Sequence, residues 1–190
     1  MPGPSRKSSQ RPLKIDRPIA LVGMMGAGKT TVGRRLASAL DLPFHDADAE
    51  IEAAAGMTVA ELFERHGEES FRRGEAQVIE RLLSGPPIVL ATGGGALVNE
   101  KTRALIAERA ISVWIRAEVE TLVKRATKRA VRPLLKNGDP HEIISGLLAR
   151  REQFYETATF IVDSNIGGHA RTVKTIIAEL TRRCAGEDAR

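Results

Sequence analysis

The sequence predicts an α/β protein in which a parallel sheet lies between two layers of helices. From residue 19 onward, short apolar runs alternate with longer amphipathic stretches, which is the pattern of parallel strands joined by helices. A glycine-rich motif, Gly-x4-Gly-Lys-Thr over residues 23–30, follows the first apolar run and opens an amphipathic stretch. Three further glycines follow the third apolar run, at the end of a strand where open α/β sheets bind ligands. The 190 residues fit one domain with its own core.

Five strands are predicted from short apolar runs bounded by turn residues. They are residues 19–22, a strand that follows Leu42 and ends at 46–48, then 88–92, 111–115 and 160–162. Trp114, within the fourth strand, is predicted to be a core residue.

Helices are predicted where apolar residues recur every three or four positions or where a cap begins one. Thr58 and Glu61 form a capping-box pattern that begins a short helix ending at Gly67. The other helices are expected at 32–40, 69–83, 100–109, from about 117, from about 141 and over 173–180. Where the helix from about 117 ends and the helix from about 141 begins, a basic segment with two prolines predicts a mobile lid around residues 124–140.

The glycine-rich motif indicates a phosphate-binding loop. Its glycines allow backbone N–H groups to turn toward phosphate oxygens, and the helix that follows adds the positive end of its dipole. Lys29 is expected to reach the β- and γ-phosphates of a nucleoside triphosphate, and the Thr30 hydroxyl to ligate Mg²⁺. The alternative is an ordinary glycine-rich turn. The residues predicted to bind ATP here are Gly26, Ala27, Gly28, Lys29, Thr30 and Thr31.

Charge, cysteine content and apolar runs indicate the character of the two chain ends and the cellular location of the protein. The formal charge of +5 fits anionic ligands or nucleic acid, but much of it lies in residues 1–17. That segment carries prolines and serines and no apolar core, so it is predicted to be a disordered tail, with an organelle transit peptide as the alternative. Residues 185–190 are predicted to be a second disordered tail. The single cysteine and the lack of an apolar run of about 20 residues predict a cytoplasmic protein without a membrane partner.

Two groups of charged residues follow the predicted phosphate-binding loop. Asp46 and Asp48 are placed at one strand end, where alternate residues share a face, so one can serve Mg²⁺ and the other an acceptor. The alternative is that both only cap the next helix. Arg72 and Arg151 have the side chain best shaped to bind a carboxylate through two hydrogen bonds, although either alone could be a surface residue.

The combination of these motifs resembles the shikimate kinase family over roughly residues 18–180. The matching residues are Gly-x4-Gly-Lys-Thr, Asp46-x-Asp48, Phe71-Arg72-x-x-Glu75, Gly93-Gly94-Gly95, Arg132-Pro133-Leu134-Leu135 and Arg151-x-x-x-Tyr155. The resemblance implies a nucleoside-monophosphate-kinase-like, three-layer fold with a five-stranded parallel sheet in a kinase domain over 18–184. It also implies transfer of the γ-phosphoryl of ATP to the 3-hydroxyl of shikimate in aromatic amino-acid biosynthesis.

The resemblance implies a role for each matching residue. Asp48 corresponds to the aspartate that binds the hydroxyls of shikimate and is the candidate base. Arg72 and Arg151 correspond to the pair that grips its carboxylate, with Glu75 orienting Arg72. The backbone of the triple-glycine segment, Gly93, Gly94 and Gly95, closes against the ring. Arg132 corresponds to the lid arginine that meets the phosphates, Arg125 falls near adenine, and Mg²⁺ is expected at Thr30 and, through water, at Asp46.

Some positions depart from the family pattern. Ala47 stands where the family usually has threonine or serine, and residues 165–169 match the adenine loop weakly, so no site residue is assigned there. Arg150 lies beside Arg151, and the spacing to Tyr155 favours Arg151 as the residue that faces the pocket. The four histidines lack metal-ligand spacing and are predicted to be structural or surface residues.

Two other functions compete with shikimate phosphorylation. A related small-molecule kinase, for instance one acting on gluconate, shares the phosphate-binding loop but does not need both arginines and the triple glycine. A non-catalytic nucleotide-binding module, associated with RNA through the basic tail, is opposed by the small aromatic content of 4%. The sequence therefore predicts a monomeric kinase whose partners are ATP and shikimate, without nucleic acid.

Overall fold

The computed structural model describes residues 13–128, 138–165 and 168–186. Its five strands are β1 (Ile19–Val22), β2 (Phe44–Asp46), β3 (Val89–Ala91), β4 (Ile111–Arg116) and β5 (Phe160–Asp163). They form one parallel sheet in the order β2-β3-β1-β4-β5. The predicted α/β fold and its five strands are confirmed.

Seven helices surround this sheet in the described part of the chain. They are α1 (Lys29–Leu40), α2 (Ala47–Ala55), α3 (Val59–Leu83), α4 (Glu100–Arg109), α5 (Val119–Thr127), α6 (Pro140–Tyr155) and α7 (Gly168–Cys184), with a short 3-10 helix at Ala96–Val98. The predicted capping box begins α3, since Thr58 Oγ1 accepts a hydrogen bond from Glu61 N and Thr58 N donates to Glu61 Oε2. Gly67 interrupts α3 with φ 75° and ψ 168°, which confirms the predicted break.

The central strand β1 explains where a ligand can bind. All four of its residues are fully buried, as expected for a strand covered on both faces by helices. It pairs with β3 on one side and β4 on the other. The chain first runs from β1 to β2 and β3 on one side of the sheet and then crosses to β4 and β5 on the other side. Such a switch point opens a crevice. The phosphate-binding loop and the triple glycine lie on adjacent strand ends there.

Three boundaries differ from the sequence predictions. Leu13 and Ile15 pack against the core, so the packed domain begins before residue 18 because two alternate apolar residues cover the core there. Strand β2 ends at Asp46, and Asp48 lies in the first turn of α2 rather than at a strand end. Helix α5 continues to Thr127 and α6 begins at Pro140, so both ends of the predicted lid are helical, and residues 129–137 lie outside the described residues.

Two glycines offer a stability prediction that separates backbone conformation from packing. A Cβ added to Gly146 or to Gly67 would meet no atom within 4 Å, but only Gly67 has a positive φ, of 75°. We expect Gly146→Ala to raise the free energy of unfolding by about 0.5 to 1 kcal/mol, because alanine favours the helix and restricts the unfolded chain. Gly67→Ala should lower it by about 1 kcal/mol, since alanine is strained at positive φ. Urea unfolding followed by circular dichroism measures both, and equal shifts would contradict the prediction.

No described helix combines the length and the apolar character needed to cross a membrane.

Candidate active site

The loop between β1 and α1 is shaped to hold phosphate. Gly23, Gly26 and Gly28 all have positive φ, and α1 begins immediately afterwards at Lys29. A Cβ at Gly26 would lie 2.6 Å from the carbonyl oxygen of Leu122, so a side chain at that position would displace α5. The loop therefore presents backbone to the cleft, next to the positive end of α1.

Lys29 is held at the base of this loop. Its side chain is buried, and its Nζ donates hydrogen bonds to the carbonyl oxygens of Gly23, at 2.7 Å, and Met24, at 2.9 Å. Lys29, Gly28, Thr30 and Thr31 line a cleft of about 440 Å³. A buried ammonium group at the mouth of an N–H-lined loop is suited to bind a polyphosphate.

Thr30 and Asp46 meet at the edge of the same cleft. Thr30 Oγ1 donates a hydrogen bond to Asp46 Oδ2 at 2.8 Å. A hydroxyl and a carboxylate side by side are oxygen ligands of the kind Mg²⁺ accepts, together with phosphate oxygens and water. The residues predicted to hold the metal therefore fit it.

Asp48 and Asp46 both line the phosphate cleft, and both are half-buried. The place of Asp48 in the first turn of α2 suits an acidic residue, because the helix dipole is positive there. Burial raises the pKa of the Asp48 carboxyl, and Asp46 and Glu52 raise it further, whereas Lys29 and Arg72 lower it. The sequence argument from strand alternation was wrong, but the two aspartates still share a site.

Arg72 and Glu75 form a hydrogen-bonded ion pair on α3. Arg72 Nη1 donates to Glu75 Oε2 at 2.7 Å, which is the contact predicted from their spacing, and Glu75 is fully buried. A Cβ at Gly95 would overlap the Arg72 guanidinium, so glycine is required there for Arg72 to hold this position. Burial raises the pKa of Glu75, against the lowering effect of Arg72.

Arg151 and Tyr155 reach the triple-glycine loop from α6. Arg151 Nη1 donates to the carbonyl oxygen of Gly94 at 3.2 Å, and the Tyr155 hydroxyl donates to the same oxygen at 2.5 Å. Arg150 is exposed, whereas Arg151, the residue that the spacing to Tyr155 favours, is half-buried against this loop. Burial raises the pKa of Tyr155 to about 12, so its hydroxyl remains a hydrogen-bond donor at neutral pH.

The triple-glycine loop lies between these charged groups. A Cβ at Gly93 would sit 2.8 Å from Asp48 Oδ1 and 2.9 Å from Glu75 Oε1, and one at Gly94 would sit 3.1 Å from Met25 N. The loop, the two arginines and Asp48 line a second cleft of about 330 Å³. Since Asp48 also lines the phosphate cleft, the two clefts meet at this carboxylate.

Arg125 borders the phosphate cleft from α5. It donates to Ser164 O at 2.7 Å, to Ser164 Oγ at 3.1 Å and to Ala27 O at 3.4 Å, and burial lowers its pKa. These contacts join the loop after β5 to the phosphate-binding loop. Arg125 is therefore held at the edge of the phosphate cleft, and its place near adenine stays a prediction from the family resemblance.

His169 is a cleft residue that the sequence analysis missed. A Cβ at Gly28 would lie 2.8 Å from His169 Nε2, so the ring touches the phosphate-binding loop. Burial lowers the pKa of this histidine, and the nearby Arg125 and Arg35 lower it further. Residues 165–169 match the adenine loop of the family weakly, so the sequence analysis assigns no site residue there. The contact forms because α7 packs beside α1. Arg132, the predicted lid arginine, lies outside the described residues.

The raised pKa of Glu75 gives a pH-dependent prediction for stability. Folded protein keeps the Glu75 proton at pH values above 4.5, where the unfolded chain has lost it, so this group contributes less stability as pH rises. We expect Glu75→Gln to gain stability relative to wild type as the pH rises above about 4.5, until the raised pKa of folded Glu75 is passed, since glutamine has no proton to lose. Asp48, Arg72 and Arg151 face the same group and are unchanged in the variant.

Urea unfolding at a series of pH values measures this difference. Glu68→Gln is the control, because Glu68 also contacts Arg72 but its side chain is 62% exposed. Parallel stability curves for wild type and Glu75→Gln would contradict the prediction.

The fold and the site together define a P-loop kinase, a transferase with one cleft for a nucleoside triphosphate and an adjoining cleft for a small anionic acceptor. A sequence model described as shikimate kinase matches residues 25–181. A shikimate kinase from Bradyrhizobium diazoefficiens is 53% identical over 173 residues, covering 91% of this chain and 84% of the relative. The chain belongs to the shikimate kinase family.

Solved structures agree with this assignment. The structure described as shikimate kinase from Acinetobacter baumannii in complex with shikimate has a TM-score of 0.84 and 36% identity, covering 94% of this chain and 98% of that one. A gluconokinase from Sinorhizobium meliloti has a TM-score of 0.63 and 20% identity, covering 91% and 96% of the two chains, and shares the fold alone. The predicted nucleoside-monophosphate-kinase-like fold is confirmed.

Proposed function

We propose that this kinase transfers the γ-phosphoryl group of ATP to the 3-hydroxyl of shikimate, giving shikimate 3-phosphate and ADP. The observation that carries the proposal is the second cleft, in which Arg72 and Arg151 flank the triple-glycine loop and Asp48 stands at the junction with the phosphate cleft. Two arginines suit a carboxylate, and an aspartate suits hydroxyl groups. Family membership and the shikimate complex of the Acinetobacter relative support this acceptor.

The chain's own residues account for alignment and charge. Lys29 and the loop amides hold the phosphates at one end of the junction. Arg72 and Arg151 hold the acceptor carboxylate at the other end, so that only one hydroxyl points toward the γ-phosphorus. Phosphoryl transfer needs this alignment and neutralisation of charge more than covalent help from the protein. Asp48, at the junction, is placed to orient the hydroxyl and to accept its proton.

Mg²⁺ would be held by Thr30 and, through water, by Asp46, and would neutralise charge on the β- and γ-phosphates. Arg125 and His169 border the nucleotide away from the acceptor, and Arg132 is proposed to meet the phosphates from the lid. A cytoplasmic location, a monomeric state and the absence of a nucleic-acid partner remain predictions from the sequence.

ADP release in the presence of MgATP tests the proposal. The reaction is run with shikimate, with gluconate and without acceptor. We expect rapid turnover only with shikimate, because gluconate lacks the rigid ring that places one hydroxyl at Asp48. Turnover with gluconate at a similar rate would favour the related small-molecule kinase. ATP binding without acceptor-dependent turnover would favour the nucleotide-binding module.

A further inference from the structure

Glu52 stands at the junction of the two clefts without an assigned role. Four residues line both the phosphate cleft and the acceptor cleft: Met25, Asp48, Glu52 and Gly94. Glu52 and Asp48 are the charged members, and both lie on α2. Glu52 is half-buried, and its charge is one of those that raise the pKa of Asp48.

The carboxylate of Glu52 is tied to the beginning of α3. Its Oε1 accepts a hydrogen bond from Val59 N at 2.9 Å, across the turn that contains Gly56. Val59 is the first residue of α3, and Val59 and Phe63 both line the acceptor cleft. Glu52 therefore connects the reaction junction to the wall that covers the acceptor.

This contact fixes a group that the helix itself leaves unpaired. The first N–H groups of a helix have no partner within it. The Thr58 side chain caps the N–H of Glu61, so the N–H of Val59 depends on Glu52. A negative carboxylate at the N-terminus of α3 is also stabilised by the positive end of the helix dipole.

We propose that Glu52 is a positioning residue that holds the first turn of α3 over the acceptor through its bond to Val59. This inference rests on the proposed function, since the acceptor in question is shikimate. The side chain acts on the reaction through α3 and not by contact with the transferring group. Losing the bond should loosen the wall formed by Val59 and Phe63, and so weaken acceptor binding more than nucleotide binding.

Substitutions at both ends of the hydrogen bond separate the effect of losing the bond from the effect of losing the Glu52 charge. Glu52→Gln keeps an oxygen acceptor for Val59 N and removes the charge, whereas Glu52→Ala removes both. Val59→Pro removes the donor N–H from the other side. Proline is favoured at the first position of a helix, and Thr58, with φ −68° and ψ 155°, already has the conformation required before proline. Val59→Ala measures the part of the proline effect that comes from the side chain.

Steady-state kinetics with each substrate varied in turn provides the readout. We expect Glu52→Ala to raise KM for shikimate by about 10-fold or more, as for loss of a hydrogen bond to a charged group, with KM for ATP changed less than about twofold. Glu52→Gln should restore most of the affinity. Val59→Pro should raise KM for shikimate above that of Val59→Ala by a similar factor. The double variant Glu52→Ala with Val59→Pro should have a KM for shikimate no higher than that of the more impaired single variant. Glu64→Ala, an exposed acid on the same helix, is the control.

Three results would overturn the inference. If Glu52→Gln raises KM for shikimate as much as Glu52→Ala does, the effect comes from the charge at the junction. If the effects of Glu52→Ala and Val59→Pro add in the double variant, the hydrogen bond between the two residues does not mediate them. A general loss of folding would lower the urea midpoint and the apparent kcat whichever substrate is varied. A rise confined to KM for shikimate excludes it. Wild-type protein without shikimate-dependent turnover would contradict the proposed function itself, whereas active wild type with an unaffected Glu52→Ala variant overturns only this inference.

Discussion

Arg151→Ala is expected to lower kcat/KM for shikimate by about 100- to 1000-fold, as for removal of one partner from a buried, hydrogen-bonded ion pair. Arg151 reaches the acceptor cleft from α6 and touches the carbonyl oxygen of Gly94. Its loss leaves Arg72 alone to hold the acceptor carboxylate, and Arg72 is already partly engaged by Glu75. The effect should fall mainly on KM for shikimate, because the phosphate cleft does not include Arg151.

Arg150→Ala is the matched control for this variant. It removes the same side chain from the neighbouring position on the same helix, but Arg150 is exposed. We expect its kinetic constants to stay within about twofold of wild type, as for a surface substitution. Equal losses in the two variants would mean that general positive charge, and not a placed guanidinium group, attracts the acceptor. A rise in KM for ATP with Arg151→Ala would contradict the division between the clefts.

Local patterns explain why much of the fold and the phosphate site could be predicted from sequence. The motif from Gly23 to Thr30 is contiguous, and its glycines, its lysine and its threonine each meet a conformational or chemical requirement of the loop. The break at Gly67 and the capping box at Thr58 are likewise local signals, and both are present in the structure. The spacing to Tyr155 favours Arg151 over Arg150, and this helical argument applies because α6 continues without interruption to Tyr155.

The residues that were misplaced or missed depend on contacts between distant elements. The alternation argument puts Asp48 at a strand end, but Ala47, Ala49 and Glu50 favour a helix, and β2 stops after three residues. His169 reaches Gly28 only because α7 packs beside α1. Glu52 reaches the junction because α2 and α3 fold back on each other. No periodicity or motif within either segment specifies these meetings.

The two aspartates of the Asp46-x-Asp48 motif should separate into different kinetic roles. Asp48 lines both clefts, whereas Asp46 lines the phosphate cleft and accepts a hydrogen bond from Thr30. We expect Asp48→Asn to lower kcat by about 100- to 10,000-fold, the usual contribution of a positioned general base, because asparagine keeps the size but cannot take a proton. KM for ATP should change little.

Asp46→Asn should instead raise the Mg²⁺ concentration needed for half-maximal activity by about 10- to 100-fold, as for loss of a group that supports a metal ligand. Asparagine can still accept the hydrogen bond from Thr30, so the local structure is retained. A Mg²⁺ titration of kcat for wild type and both variants distinguishes the roles. High Mg²⁺ should recover activity in Asp46→Asn and leave Asp48→Asn impaired. If Asp48→Asn loses less than about tenfold in kcat, proton transfer to this carboxylate is excluded, and its contribution is to orient the acceptor hydroxyl.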